Sequence, residues 1–480
     1  MDLGLECVRE RNVDFLPGLE LLITDSSASE LLNHTAHTGI PAVSSADFRP
    51  IHYIGSKLRM LPSIMSALDS VDPSGGPVCD LFAGSGTVSF AASRQREVVA
   101  VDIQAYSRVL CSAVIGGHMP PAELQYAIET SDRLRALIAA ALPLLAIEES
   151  ALRSAVGGHP EPICELVEHG SILEMQMGGT PHNSALNRAK LSTLRNLRDA
   201  GLAGVESVCL RHYGGTFFSY RQALVLDAAA SVCRTDYGSN DAALAIVLGT
   251  ASQIVNTVGK QFAQPLQPRA KDGKVKLHLL RKMVTDRSRN ALQALGGVAR
   301  QYEALPLPHS PNNRAYMADY LEALPEMKGR VSVVYADPPY TRDHYSRFYH
   351  VLETIARSDD PDVSMSNLGE GTRVSRGMYR KDRYQSDFCI KSKAPNAFMA
   401  LFQEIKAIEV PLVLSYSSFD DTIEGRPRVL AIKDLLNIAK NVFSRVSVEE
   451  VSSLVHSKLN RENLNKNSGG TTEVLITCQL

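Results

Sequence analysis

Residues 77–86 read PVCDLFAGSG, and the way this stretch folds decides the architecture. The apolar run from Pro77 to Ala83 fits a buried strand, the turn Gly84-Ser85-Gly86 ends it, and a helical stretch begins near Thr87. A second buried strand, Glu97 to Val101 (EVVAV), ends at Asp102 and leads into a helix from Gln104. Strand, loop, helix and strand in this order make one unit of a doubly wound α/β sheet.

Working outward, Arg330 to Ala336 (RVSVVYA) and Val410 to Tyr416 (VPLVLSY) are again buried strands with helices around them, and TEVLITC is a closing strand after a polar loop at 460–470. Between these α/β parts, residues 113–311 carry Ala/Leu-rich helical stretches at 125–152, 222–234 and 241–255 and few strand signals. The expected organisation is an N-terminal extension at 1–50, an α/β domain from 51–112 and 312–480, and an inserted, largely helical domain at 113–311.

With 480 residues, 44% hydrophobic and 21% charged, the composition is that of a soluble globular protein. No apolar run approaches the length of a membrane span, and Asp2, Glu6 and Glu10 do not make the basic start of a signal peptide, so a cytoplasmic location is expected. The eight cysteines (Cys7, Cys79, Cys111, Cys164, Cys209, Cys233, Cys389, Cys478) lack zinc-ligand spacing; they are expected to be reduced and mostly buried, with no metal. A net charge of -2 gives no global pull toward nucleic acid. Locally, however, Lys260, Arg269, Lys271, Lys274, Lys276, Arg281, Lys282, Arg287, Arg289 and Arg300 face only Asp272 and Asp286, which makes this run a candidate phosphate-binding surface, with a solvated face as the plainer reading.

Two motifs carry chemistry. Asp80-Leu81-Phe82-Ala83-Gly84-Ser85-Gly86 lies where a buried strand turns into a helix, the place where doubly wound sheets bind ligands. Gly84 and Gly86 let a small ligand approach the backbone, and the helix start offers N–H donors to a carboxylate. Asp102, at the end of the next strand, is placed to accept hydrogen bonds from two ribose hydroxyls, although a lone Asp there is more often a helix cap. The second motif, Asp337-Pro338-Pro339-Tyr340, directly follows the strand VSVVYA. Two prolines fix the backbone and remove two N–H groups, so carbonyls can face a pocket without competing donors. Such a loop suits an NH2 group: the Asp337 carboxylate and the Pro338 carbonyl accept its protons, and Tyr340 offers a flat face on which a base can stack.

YIGSK at 53–57, DLFAGSG with Asp102, and DPPY, in this order, resemble the Dam-like (D12 class) adenine-specific DNA methyltransferases of restriction-modification type, over most of residues 51–480. The resemblance implies a Rossmann-like methyltransferase domain in which Tyr53, Gly55, Lys57, Asp80, Phe82, Gly84, Gly86, Asp102 and Asp337 hold S-adenosyl-L-methionine, and in which Asp319 contacts the cofactor's adenine. It further implies that Asp337, Pro338, Pro339 and Tyr340 are catalytic, that 113–311 is a target-recognition domain for double-stranded DNA, and that a cognate restriction endonuclease is a possible partner. Tyr213 to Tyr220 (YGGTFFSY) and Asn256 to Pro265 (NTVGKQFAQP) resemble segments of restriction-modification members. Their aromatics are candidates for nucleic-acid contact, or for core. In His344 to His350, Tyr345, Phe348, Tyr349 and Leu352 have the spacing of a buried helix face.

The implied reaction moves a methyl group to N6 of an adenine flipped out of the duplex, by direct displacement without metal or covalent enzyme intermediate. Alternatives are an N4-cytosine methyltransferase, an RNA N6-adenine methyltransferase, or a catalytically silent DNA-binding protein of the same fold. Asp rather than Ser at 337 favours adenine by resemblance.

Overall fold

The computed structural model describes residues 48–177, 184–238, 240–342, 344–367, 372–417, 429–451 and 473–480. Cys7, the polar loop at 460–470 and nearly all of the N-terminal extension lie outside the described residues.

Among the described residues nine strands form: β1 (Val78–Leu81), β2 (Val98–Asp102), β3 (Arg314–Met317), β4 (Val333–Ala336), β5 (Met365–Asn367), β6 (Thr372–Val374), β7 (Leu412–Ser417), β8 (Arg445–Val451) and β9 (Glu473–Gln479). Seven make one sheet in the order β3-β2-β1-β4-β7-β9-β8, while β5 and β6 form a separate antiparallel hairpin. The pairs from β3 through β7 are parallel, and β9 runs antiparallel between β7 and β8. This is a Rossmann-like, doubly wound sheet with an antiparallel strand next to one edge. From β1 the chain moves outward to β2 and β3, then returns to lay β4 on the other side of β1. The reversal leaves a crevice at the carboxyl ends of β1 and β4, where open α/β sheets bind ligands.

Side-chain alternation along the buried strands feeds two cores. Cys79, Leu81, Val99, Val101, Val334 and Ala336 point toward the helices Tyr320–Glu326, Ala394–Ala407 and Ile432–Lys440. Val78, Val98, Ala100, Val333 and Tyr335 point the other way, into a core that is continuous with the long helical region. That region contains Asp132–Val156, Ala185–Asp199, Tyr220–Asp236, Asp241–Ile254 and Ala291–Glu303, with no sheet strand among its described residues. Its apolar side chains and those of Ala105–Ile115, the helix that follows β2, therefore belong to one hydrophobic cluster. Phe48, from the stretch read as extension, is buried edge-on against Phe90 and Tyr302, with centroids 6.0 and 5.1 Å away.

The seven described cysteines are free and buried. Among the described residues no helix is long and apolar enough to cross a membrane.

Candidate active site

The crevice opens into a cavity that, with the solvent space at its mouth, measures about 1150 Å³ and whose walls come from six separated segments: Tyr53–Lys57, the β1 turn, the end of β2, Ala318–Tyr320, the loop after β4, and Tyr384 to Cys389. Tyr53, Gly55, Lys57, Asp80, Phe82, Gly84, Asp102, Asp319, Asp337, Pro338, Pro339 and Tyr340 all line it. Gly86 does not; its α-hydrogens face the helix Ala105–Ile115, where a Cβ would stand 3.3 Å from Cys111 and Val114. Its left-handed φ of 76° turns the chain into the helix Thr87–Ala92, so this glycine serves packing and the turn.

The β1 turn is tightly drawn. Phe82 adopts φ 62°, a left-handed conformation that a phenylalanine accepts only when its surroundings enforce it; its ring is held by Tyr320 and Phe388, 5.5 and 5.4 Å away. At Gly84 a Cβ would meet the Tyr53 hydroxyl at 2.7 Å, so only glycine lets that ring lie over the loop. Tyr53 in turn stacks on Tyr349 at 4.9 Å, and the Tyr349 hydroxyl accepts the Ile54 N–H at 2.7 Å. Asp102 closes the turn from the other side, its two carboxylate oxygens accepting the N–H groups of Gly84 and Gln104, each at 2.9 Å. Expected as a ribose acceptor, it is thus also the clamp on the glycine loop, with remaining lone pairs for a ligand. Burial raises its pKa against these hydrogen bonds.

Asp319 caps the helix Tyr320–Glu326, accepting the Leu321 N–H at 2.9 Å, and also accepts the Tyr384 hydroxyl at 3.3 Å. Asp80 is fully buried and accepts the Ser89 hydroxyl; burial, with Asp337 and Asp102 adding repulsion, pushes its carboxyl up to about 7.

At the Asp337–Tyr340 loop one cation organises three partners. Lys57 Nζ lies 3.0 Å from Asp337 Oδ1, 4.0 Å from Glu473 Oε2 and 3.4 Å from the Tyr340 hydroxyl, and 5.4 Å from the centre of the Tyr340 ring. Tyr340 donates onward to Glu473 Oε1 at 3.2 Å, and its ring leans on Tyr416 at 5.2 Å. Burial lowers the pKa of Lys57, but Asp337, Tyr340 and Glu473 outweigh it and together hold the pKa well above the ordinary lysine value. Asp337 shows the opposite balance: burial pushes its carboxyl up to about 6, Lys57 pulls it down and Glu473 adds to the rise. Four carboxylates, Asp80, Asp102, Asp319 and Asp337, therefore share the cavity wall with the one ammonium of Lys57, a setting for a ligand that carries positive charge and sugar hydroxyls.

Glu473, at the start of β9, could not be found from local sequence. Nor could Glu353, which accepts the N–H groups of Ala105 and Tyr106 at 3.2 and 3.1 Å and so caps the helix after β2. Of the two readings of Tyr213 to Tyr220, core is the one found: Tyr213, Phe217, Phe218 and Tyr220 are buried, because the stretch lies inside the helical layer. Likewise Tyr349 and Leu352 are buried as expected, whereas the helix breaks at Tyr349 and leaves Tyr345 on the cavity wall.

Part of the basic run at 260–300 is paired with acidic side chains. Asp286 pairs with Lys260, Lys282 and Arg289, Glu168 with Arg269, Asp272 with Lys274, and Arg287 is fully buried against Glu148 at 2.5 Å. Lys260–Asp286, Arg269–Glu168 and Arg287–Glu148 join separated segments, which a charge count along the sequence does not reveal, whereas Lys282–Asp286, Arg289–Asp286 and Lys274–Asp272 are local pairs.

The description "D12 class N6 adenine-specific DNA methyltransferase" belongs to the family whose model matches residues 53–140 and 307–411, the two parts that build this cavity. Among curated proteins, the chain is similar to the modification methylase LlaI of Lactococcus lactis subsp. lactis, 31% identical over 147 residues, which is 30% of this chain and 21% of the relative. It is also similar to the modification methylase StsI of Streptococcus sanguinis, 29% identical over 159 residues, covering 33% of this chain and 21% of the relative. The match thus spans about a fifth of the length of these relatives.

Proposed function

We propose that the protein transfers a methyl group from S-adenosylmethionine to N6 of adenine in DNA. The observation that carries this reading is the meeting, across one cavity at the switch point of the sheet, of the glycine turn after β1 with the Asp337–Tyr340 loop after β4. The family match to both parts supports it. So does the wall's surplus of carboxylates, which suits a sulfonium ligand with an amino group and ribose hydroxyls, and Gly84 gives such a ligand access to the backbone. When bound, S-adenosylmethionine supplies an electrophilic methyl group on a positively charged sulfur.

The residues of this chain then divide the work. Asp102 and Asp319 offer carboxylate oxygens to hydroxyl and amino donors, while Tyr53 packs over the loop. Lys57 grips Asp337 at Oδ1 and fixes the carboxylate, so that its other oxygen and the Pro338 carbonyl can accept the two N6 protons of a target adenine. Held this way, the N6 lone pair would be free to take the methyl group that the cofactor supplies, and Asp337 would stabilise the positive charge on N6 until one of its protons passes to solvent. Tyr340, oriented by Lys57 and Glu473, supplies the face on which the base stacks. Residues 113–311 serve as the target-recognition region for double-stranded DNA.

The test is transfer of labelled methyl to DNA, followed by digestion and identification of the modified nucleoside. N6-methyladenine from wild type, retained activity for Tyr340→Phe, strong loss for Tyr340→Ala and none for Asp337→Ala are expected. Methylcytosine as product, or an active Asp337→Ala enzyme, overturns the assignment.

A further inference from the structure

Beyond Tyr340 the cavity continues into a second lobe. His344, Ser346 and Tyr384 line both, and the far wall of the lobe carries Arg347, Tyr379 and Arg383. Tyr379 is rigidly placed: it is buried, its hydroxyl donates to the Ala263 carbonyl, and Arg347 Nη2 donates to that same hydroxyl at 3.1 Å. Two guanidinium groups flank its ring, Arg347 at 4.8 Å and Arg383 at 5.0 Å from the centroid. Arg383 also donates to the Arg380 carbonyl at 2.9 Å. Among the described residues neither Arg347 nor Arg383 forms an ion pair with a carboxylate. The nearby acids are already committed, since Asp359 and Asp382 both bind Arg380.

Two half-buried like charges fixed around one ring, without a counter-ion, repel each other, and an anion between or beside them removes that cost. Burial, and after it Arg347, lowers the pKa of Arg383. Guanidinium groups bind phosphate in a planar, bidentate manner, and the lobe shares His344, Ser346 and Tyr384 with the wall of the pocket proposed for a flipped base. We propose that Arg347 and Arg383 hold phosphodiester groups of the strand that carries the target adenine, bringing the flipped nucleotide past His344 and Tyr384 into the cavity. This rests on the reading of the cavity as a DNA adenine site, and it moves the main phosphate contact from the basic run at 260–300 to the segment after β4.

The experiment is fluorescence anisotropy of a short labelled duplex at several salt concentrations, with wild type, Arg347→Gln/Arg383→Gln and Arg347→Lys/Arg383→Lys, beside a methyl-transfer assay of wild type on the same duplex. Each phosphate contact contributes about 0.9 to the slope of log affinity against log salt. The Gln pair should therefore flatten the slope by about 1.8 and weaken binding on the order of tenfold or more at low salt. The Lys pair should keep most of the slope. A folded Gln pair, judged by circular dichroism, with unchanged slope and affinity overturns the proposal. So does competition by inorganic phosphate that is lost in the Gln pair while duplex binding is unaffected, which would mark a site for free anions. If wild type methylates no DNA yet its duplex binding depends on the two arginines, the methylation reading falls and the phosphate site stands.

Discussion

Lys57 and Glu473 act on Asp337 with opposite sign, which makes the site's pH response predictable. Asp337 must be ionised to stabilise charge on N6, and its carboxyl lies near 6, so methyl transfer should fall as pH drops through about 6. Lys57 lowers that value and Glu473 raises it. Lys57→Gln should therefore move the acid limb of the kcat/KM profile to higher pH, and Glu473→Gln should move it to lower pH. Limbs that coincide in all three enzymes would show that another group titrates. The glycine turn has its own sensitivity. In Gly84→Ala, a Cβ at φ 56° would press on Tyr53, and the left-handed conformation alone costs a non-glycine residue about 1–2 kcal/mol. Weaker S-adenosylmethionine binding by calorimetric titration, together with a lower Tm, is expected.

The helix Ala105–Ile115 starts beside the cavity, and its first N–H groups are satisfied not by its own cap but by Glu353 from the helix His350–Arg357. Glu353→Ala leaves two buried donors unpaired, at about 1–3 kcal/mol for each. Urea unfolding should show that loss, whereas Glu353→Gln, which keeps an acceptor, should lose less. Elements of this kind mark the border of what the sequence makes legible. The strands β1, β2, β4, β7 and β9 stand out because burial on both faces selects unbroken apolar runs. The edge strands β3 (RAYM) and β8 (RVSVEEV) escape notice, since a mostly exposed edge places no such demand. The glycine turn and the Asp337–Tyr340 loop are readable because each packs its chemistry into four to seven consecutive residues. Glu473 and Glu353 are not, because their roles exist only through contacts hundreds of residues away along the chain.

At the scale of the molecule, helical layer and sheet share one apolar cluster, and within the helical layer the fully buried pair Arg287–Glu148 ties Leu277–Arg287 to Asp132–Val156. Removing one partner strands a buried charge, so Arg287→Ala should cost about 3–5 kcal/mol in urea unfolding, and Arg287→Met/Glu148→Leu should recover part of it. The pairing of Lys260 and Lys282 with Asp286 and of Arg269 with Glu168 leads to a separate expectation: replacing Lys260, Arg269 and Lys282 by Gln should change the salt dependence of duplex binding less than the two substitutions at Arg347 and Arg383. An equal or larger change would return the phosphate contact to that run. The meeting of Lys57, Asp337 and Glu473 also sets an order in time. A ribosome delivers Lys57 first and Glu473 more than four hundred residues later, so a chain still being translated holds the glycine turn and the Asp337–Tyr340 loop without the strand that orients Tyr340. The pocket proposed for methyl transfer is complete only once β9 has been made, so a chain translated only as far as the Asp337–Tyr340 loop still lacks it.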